Sequence, residues 1–154
     1  MINDVLLKVA DQDLAPVDYD GGAVVSSKSI DLQSARDIGE GENLYMLFNI
    51  DVAVTSSAAY TMQFQIITAD NADLTGNVKI LNQSDAISKA TLVAGYYFPL
   101  QIPPNIGTKG QRYLGVQVTP GGAADATAGK YTAQVIKNIE DAKGKEYPSG
   151  FSIS

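Results

Sequence analysis

Residues 30–54, IDLQSARDIGEGENLYMLFNIDVAV, constrain the fold more than any other part of the chain. The stretch opens on a charged turn (Asp31, Gln33, Ser34, Arg36, Asp37) and tightens through Gly39-Glu40-Gly41-Glu42. It then releases into Leu44-Tyr45-Met46-Leu47-Phe48-Asn49-Ile50, the most hydrophobic run of the molecule. Glycines on either side of Glu40 reach positive φ without a Cβ clash, so the chain can reverse before the apolar run begins. An aromatic and aliphatic run of this length, closed by Asp51, suits a strand buried on at least one face. It reads as the central strand of a β-sandwich.

The remaining segments fit that reading. In residues 60–66, Tyr60, Met62, Phe64 and Ile66 alternate with Thr61, Gln63 and Gln65, the clearest period of two in the protein. Residues 23–30 are β-like with one solvated face, and Val78, Ile80 and Leu81 make a short strand after the turn at Asp70-Asn71-Ala72-Asp73. Residues 92–102 are apolar around Gly95 and Pro99, which predicts a bent strand or an edge strand. Residues 113–118 and 131–136 alternate as two further strands. Thr119-Pro120-Gly121-Gly122 ends the first of them, and residues 123–129 have the composition of a mobile loop tip. The apolar residues Val5, Leu6, Leu7 and Val9 fit a short strand or a helical turn and a half equally well. The whole pattern predicts seven or eight short strands and no long helix, hence a sandwich, jelly roll or barrel. With 44–50 as a central strand, the expectation is an all-β, single-domain antiparallel β-sandwich, jelly-roll-like, its strand topology left open. Residues 1–22 read as an N-terminal arm, 23–140 as the sandwich and 141–154 as a C-terminal tail.

Charge and composition narrow the function. A net charge of −6, with only two arginines (Arg36 and Arg112) and scattered lysines, argues against nucleic acid or an anionic membrane as partner. The beginning of the chain lacks the pattern of a secretory signal, and no run approaches the length of a membrane span, so a soluble protein made in the cytoplasm is expected. Without histidine or cysteine there is no Ser-His-Asp triad, no Cys-His nucleophile and no thiolate or imidazole zinc site. Asp18, Asp20 and Gly21 resemble part of a calcium loop, and Asp70, Asn71 and Asp73 could offer oxygen ligands. Neither set completes an EF-hand, and turn aspartates ordinarily cap their own backbone. Glu40 and Glu42 lie beside glycines in a turn and read as solvated rather than as a glycosidase pair. The expectation is therefore a non-enzyme without metal or cofactor. Tyr96, Tyr97 and Phe98 should divide between two faces of a strand, Tyr96 and Phe98 on one side and Tyr97 on the other.

The ends carry the most suggestive feature. Ile2, Val5, Leu6 and Leu7 near one terminus, and Tyr147, Phe151 and Ile153 near the other, are apolar residues set apart by acidic or Lys/Gly-rich segments. Such surface is costly to leave in water, so it docks on the domain itself or on a neighbour. Arg36 and Asp37 in the signature turn are candidates for an intersubunit ion pair.

Residues 29–45, SIDLQSARDIGEGENLY, resemble the "IDLG-x-ARDIG-x-GE-x-LY" stretch of the Bbp16-like capsid cement proteins of tailed bacteriophages. The resemblance extends over roughly residues 2–152 through the TADNAD stretch, Arg112-Tyr113-Leu114, a Thr/Pro/Gly-Gly stretch and a tail with Ser149-Gly150-Phe151-Ser152. The chain departs from that pattern with a longer, more acidic segment before Ala23 and with Gln33 where the family often has glycine. The resemblance implies a jelly-roll protein that assembles as a homotrimer on the outer capsid surface of a virion. There it would bridge neighbouring major capsid proteins against internal DNA pressure. The competing class is a non-catalytic carbohydrate-binding module of a virion or surface protein, which the lack of tryptophan disfavours.

Overall fold

The structure is a computed structural model, and it describes residues 5–33, 43–103 and 111–137. A short 3-10 turn, Val5–Leu7, leads into ten strands: β1 (Lys8–Leu14), β2 (Val24–Val25), β3 (Ile30–Asp31), β4 (Leu44–Ser56), β5 (Tyr60–Ala69), β6 (Lys79–Gln83), β7 (Ile87–Ser88), β8 (Tyr97–Ile102), β9 (Tyr113–Gly122) and β10 (Ala126–Ile136). One sheet has the order β1-β10-β4-β8. The other has the order β2-β9-β5-β6, with β3 also on β9 and β7 also on β5. Every pairing is antiparallel. β2 and β3 occupy successive registers of β9, Val24 opposite Val118 and Asp31 opposite Tyr113, and so act as one interrupted strand. β6 and β7 do the same along β5. Merged in this way, the strands lie in the order of an eight-stranded jelly roll, two intertwined Greek keys.

The two sheets are joined by aromatic packing. Phe64 of β5 projects from its sheet between Phe48 of β4, Phe98 of β8 and Tyr131 of β10, with ring centroids 5.1, 5.3 and 5.7 Å away. Phe48 and Phe98 stack at 5.2 Å, and Tyr96 tilts against Phe98 at 5.8 Å. The alternation in residues 60–66 holds. Tyr60, Met62, Phe64 and Ile66 are buried in this core. The outward Gln65 accepts from the amide of Gln117 at 2.6 Å and donates to Gln83 at 3.0 Å, a polar row across three strands. Tyr97 faces away from Tyr96 and Phe98 and is exposed. Pro99 lies in β8, an edge strand, where its missing N–H breaks no interior ladder.

Three segments differ from the sequence expectation. β4 does not stop at Asp51. It continues to Ser56, because the Asp51 carboxylate sits on the outer face and accepts hydrogen bonds from Thr132 Oγ1 (2.6 Å) and Asn49 Nδ2 (2.8 Å). A bulge beside it shifts the register between Ile50 and Val52. Residues 126–129 are strand rather than loop tip. Their small side chains let β10 run close to its neighbours, and at Gly129 (φ 147°) a Cβ would come within 2.9 Å of Ala15 Cβ and Val54 Cγ2. β9 likewise runs through the Thr-Pro-Gly-Gly stretch to Gly122, its Pro120 lying beyond the last residue paired with β2.

The segment read as an N-terminal arm also enters the fold. Lys8–Leu14 pairs with β10, and Val9 and Ala10 are fully buried in the core. Asp13 accepts from Ser27 N (2.7 Å) and Ser27 Oγ (2.6 Å), and Asp11 pairs with Lys8 (2.9 Å) and Lys28 (3.4 Å), tying β1 to the β2–β3 connection.

Two substitutions test this account by urea denaturation. Phe64→Ala should cost about 3–5 kcal/mol, since it removes the ring shared by both sheets and leaves a cavity. Gly129→Ala should cost about 1–3 kcal/mol through backbone strain and contact with Val54, whereas a mobile loop tip would tolerate it.

Candidate docking surface

The jelly-roll connectivity gives the sandwich two unlike ends. Lys8, which opens β1, pairs with Gln134 near the end of β10. Ile136 pairs with Tyr45, and Leu44 pairs with Ile102, where β8 ends. In the other sheet Asp31 and Ala69 both pair with Tyr113, where β9 begins. The chain on both sides of the sandwich, the connection from β3 to β4 and the connection from β8 to β9 therefore all leave from one end.

The candidate residues sort by this geometry. Val5, Leu6 and Leu7 form the 3-10 turn at that end, with Leu6 81% and Leu7 41% exposed. Ile2, Arg36, Asp37, Tyr147, Phe151 and Ile153 lie outside the described residues, as do Glu40 and Glu42. Beside the turn, on the outer face of the first sheet, Tyr45, Leu47 and Ile136 form a small apolar cluster of their own. Leu47 is 4% exposed although its neighbours in β4, Met46 and Phe48, point into the core.

The same end contains a charged pair that sequence reasoning missed. Arg112 Nε donates to Asp31 Oδ1 and Arg112 Nη2 to Asp31 Oδ2, both at 2.7 Å, and the guanidinium lies 5.2 Å over the Tyr113 ring. The Asp31 carboxylate raises the Arg112 pKa above its ordinary value. With Arg36 and Arg112 the only arginines and Asp31 in the signature turn, the residues were visible, but their separation of 81 positions hid the contact.

The aspartate turns are occupied with themselves. Asn71 Oδ1 accepts from Gly76 N (2.7 Å) and Thr75 N (3.2 Å), Asp73 Oδ1 from Thr75 Oγ1 (2.9 Å), and Asp70 Oδ2 from Asn77 Nδ2 (3.1 Å). The turn throws Leu74 back over Gly115, where a Cβ would lie 2.3 Å from Leu74 Cδ1, and buries it against Ile67 and Ala69. At the opposite end, Asp18 accepts from Asp20 N, and Asp125 from Tyr19 N, both at 3.3 Å. Tyr60 donates its hydroxyl to the Pro16 carbonyl, and burial pushes its pKa up to about 12. Among the described residues no group of three metal-ligating side chains is placed to hold a metal ion. Among them also, no helix is long and apolar enough to cross a membrane.

Two carboxylates should shape the pH dependence in opposite senses. Hydrogen bonding to Lys8 holds Asp11 below the ordinary carboxylate range. Its contribution is thus complete above the unfolded value of about 3.9 and is lost as pH falls through the folded value. Asp18 raises the pKa of Asp20. The ionised Asp20 is therefore destabilising at neutral pH, and that effect disappears as pH falls through its folded value. Thermal melts should show Asp11→Asn below wild type and Asp20→Asn above it at pH 7, with the Asp11 difference shrinking as pH falls below about 3.9 and the Asp20 difference gone below that value.

No curated protein matches the chain. Among solved structures, it is similar to one described as "Structure of infectious bursal disease virus Gx strain", with 12% identity and a TM-score of 0.32. The match covers 84% of this chain and 31% of that one, so this chain spans under a third of that protein's length. The model of the Bbp16 family matches residues 21–135, nearly all of the sandwich with the signature turn inside it, and the chain belongs to the Bbp16 family.

Proposed function

We propose that this Bbp16-family protein is a structural, non-catalytic component of a virion. As a capsid cement protein it would bind the outside of a phage head and bridge neighbouring major capsid proteins. The observation that carries this reading is the convergence at one end of the sandwich. The Val5–Leu7 turn, the chain beyond Ile136 and the connection holding the signature stretch all leave from there. A protein that bridges shell subunits needs adhesive segments that fan out from one side of a rigid body, and the jelly roll supplies that body. The other end carries Asp18, Asp20 and Asp125 on its loops, together with exposed Leu14 and Val17.

The mechanism is mass action. A protein that binds across assembled subunits, and not to separated ones, stabilises the assembled shell by its binding free energy. A homotrimer engaging three sites at once would raise avidity by roughly 10²–10⁴ without any new contact. The resemblance of residues 29–45 to capsid cement proteins supports the same role.

Light scattering of the purified protein should give three times the 16.3 kDa of one chain. The protein should also sediment with empty shells of the phage that encodes it. Removal of residues 1–7 or 138–154 should weaken that binding by at least tenfold while leaving the far-ultraviolet spectrum of the sandwich unchanged. Truncations that bind shells as well as the full chain would overturn the assignment of these segments.

A further inference from the structure

Asp31 and Arg112 stand where two connections meet the sandwich: Asp31 closes β3, and Arg112 immediately precedes β9. β3 is only two residues long, so few ladder bonds hold its end. Further contacts gather there. Leu32 N donates to the Arg112 carbonyl at 2.8 Å, and Gln33 N donates at 2.7 Å to Asp31 Oδ1, the oxygen that also receives Arg112 Nε. Both charged side chains are about half exposed, and an exposed ion pair contributes little stability as such. A two-bond fork is different in kind, because it fixes direction as well as distance. The Tyr113 ring under the guanidinium holds the fork from a third side.

We propose that the Asp31–Arg112 fork is a positioning clamp. It locks the end of β3 to the start of β9 and so sets the direction in which the signature segment leaves the sandwich toward its partner. The partner half of this statement rests on the assembly reading above, and the clamp half does not. Arg112 acts here through the backbone of residues 31–33 and need not touch the partner.

The test uses the full chain with Asp31→Asn, Arg112→Lys and the reversed double variant Asp31→Arg/Arg112→Asp. Hydrogen exchange at the Leu32 and Gln33 amides reads the clamp, and sedimentation with empty shells reads the partner. Each single variant should speed exchange at Gln33 by roughly three- to tenfold and weaken shell binding by a similar factor. Arg112→Lys should do so although it keeps the charge. Thermal midpoints should stay within a few degrees of wild type, and the reversed pair should restore shell binding and protection at Leu32 but not at Gln33, whose amide then has no carboxylate at position 31 to donate to. Unchanged exchange in the single variants would overturn the clamp, as would binding losses that merely follow the thermal midpoint. If wild-type protein fails to sediment with shells, the assembly reading falls and the exchange result alone decides the clamp.

Discussion

The core that joins the two sheets is centred on the ring of Phe64, set among Phe48, Phe98 and Tyr131. The four rings come from β5, β4, β8 and β10, so three strands of one sheet are registered against the central strand of the other. Aromatic rings bury large areas and prefer tilted or edge-on geometry, and all four Phe64 and Tyr96 contacts are tilted or edge-on while Phe48 and Phe98 stack. With no cysteine to cross-link the sheets, packing of this kind must hold them together.

Once the sheets are fixed, topology decides where function can reside. In a jelly roll the first and last strands are neighbours, here β1 and β10, so the segments beyond them leave side by side. The β3–β4 and β8–β9 connections leave from the same end because β4 begins opposite the end of β8, and β9 begins opposite the end of β3. Lys8, Asp31, Leu44, Ile102, Tyr113 and Ile136, distant in sequence, thereby come to one pole. The Asp31–Arg112 fork lies at that pole, between the two connections, and the acidic residues Asp18, Asp20 and Asp125 belong to the other.

Legibility varied with the range of the interactions involved. The strand over residues 44–50 was readable as a continuous apolar run, and that over 60–66 because burial on one face imposes a period of two. The edge position of the strand with Pro99 was readable because proline tolerates few places in a sheet. Residues 126–129 misled because small residues make flexible loops and also let strands approach closely, and only the neighbours Ala15 and Val54 decide between these roles. β1 was hidden for a related reason. Its sequence, KVADQDL, has only two inward apolar residues, and its aspartates look like solvent-exposed acid until Ser27 and Lys28 are brought beside them.

The sequence by itself determined the fold class, the core strands, the absence of thiol and imidazole chemistry, and the signature stretch that relates the chain to its family. These are local properties of residue type and spacing. The tertiary structure alone decided that residues 8–14 belong to the sandwich, that Arg112 pairs with Asp31, and that Lys8, Asp31, Leu44 and Ile136 share one pole. The first two rest on pairing between residues more than eighty positions apart, such as Lys8 with Gln134, and the third on several long-range pairings together. Such contacts form only when the collapse of the whole core brings the strands together, and no local pattern records them.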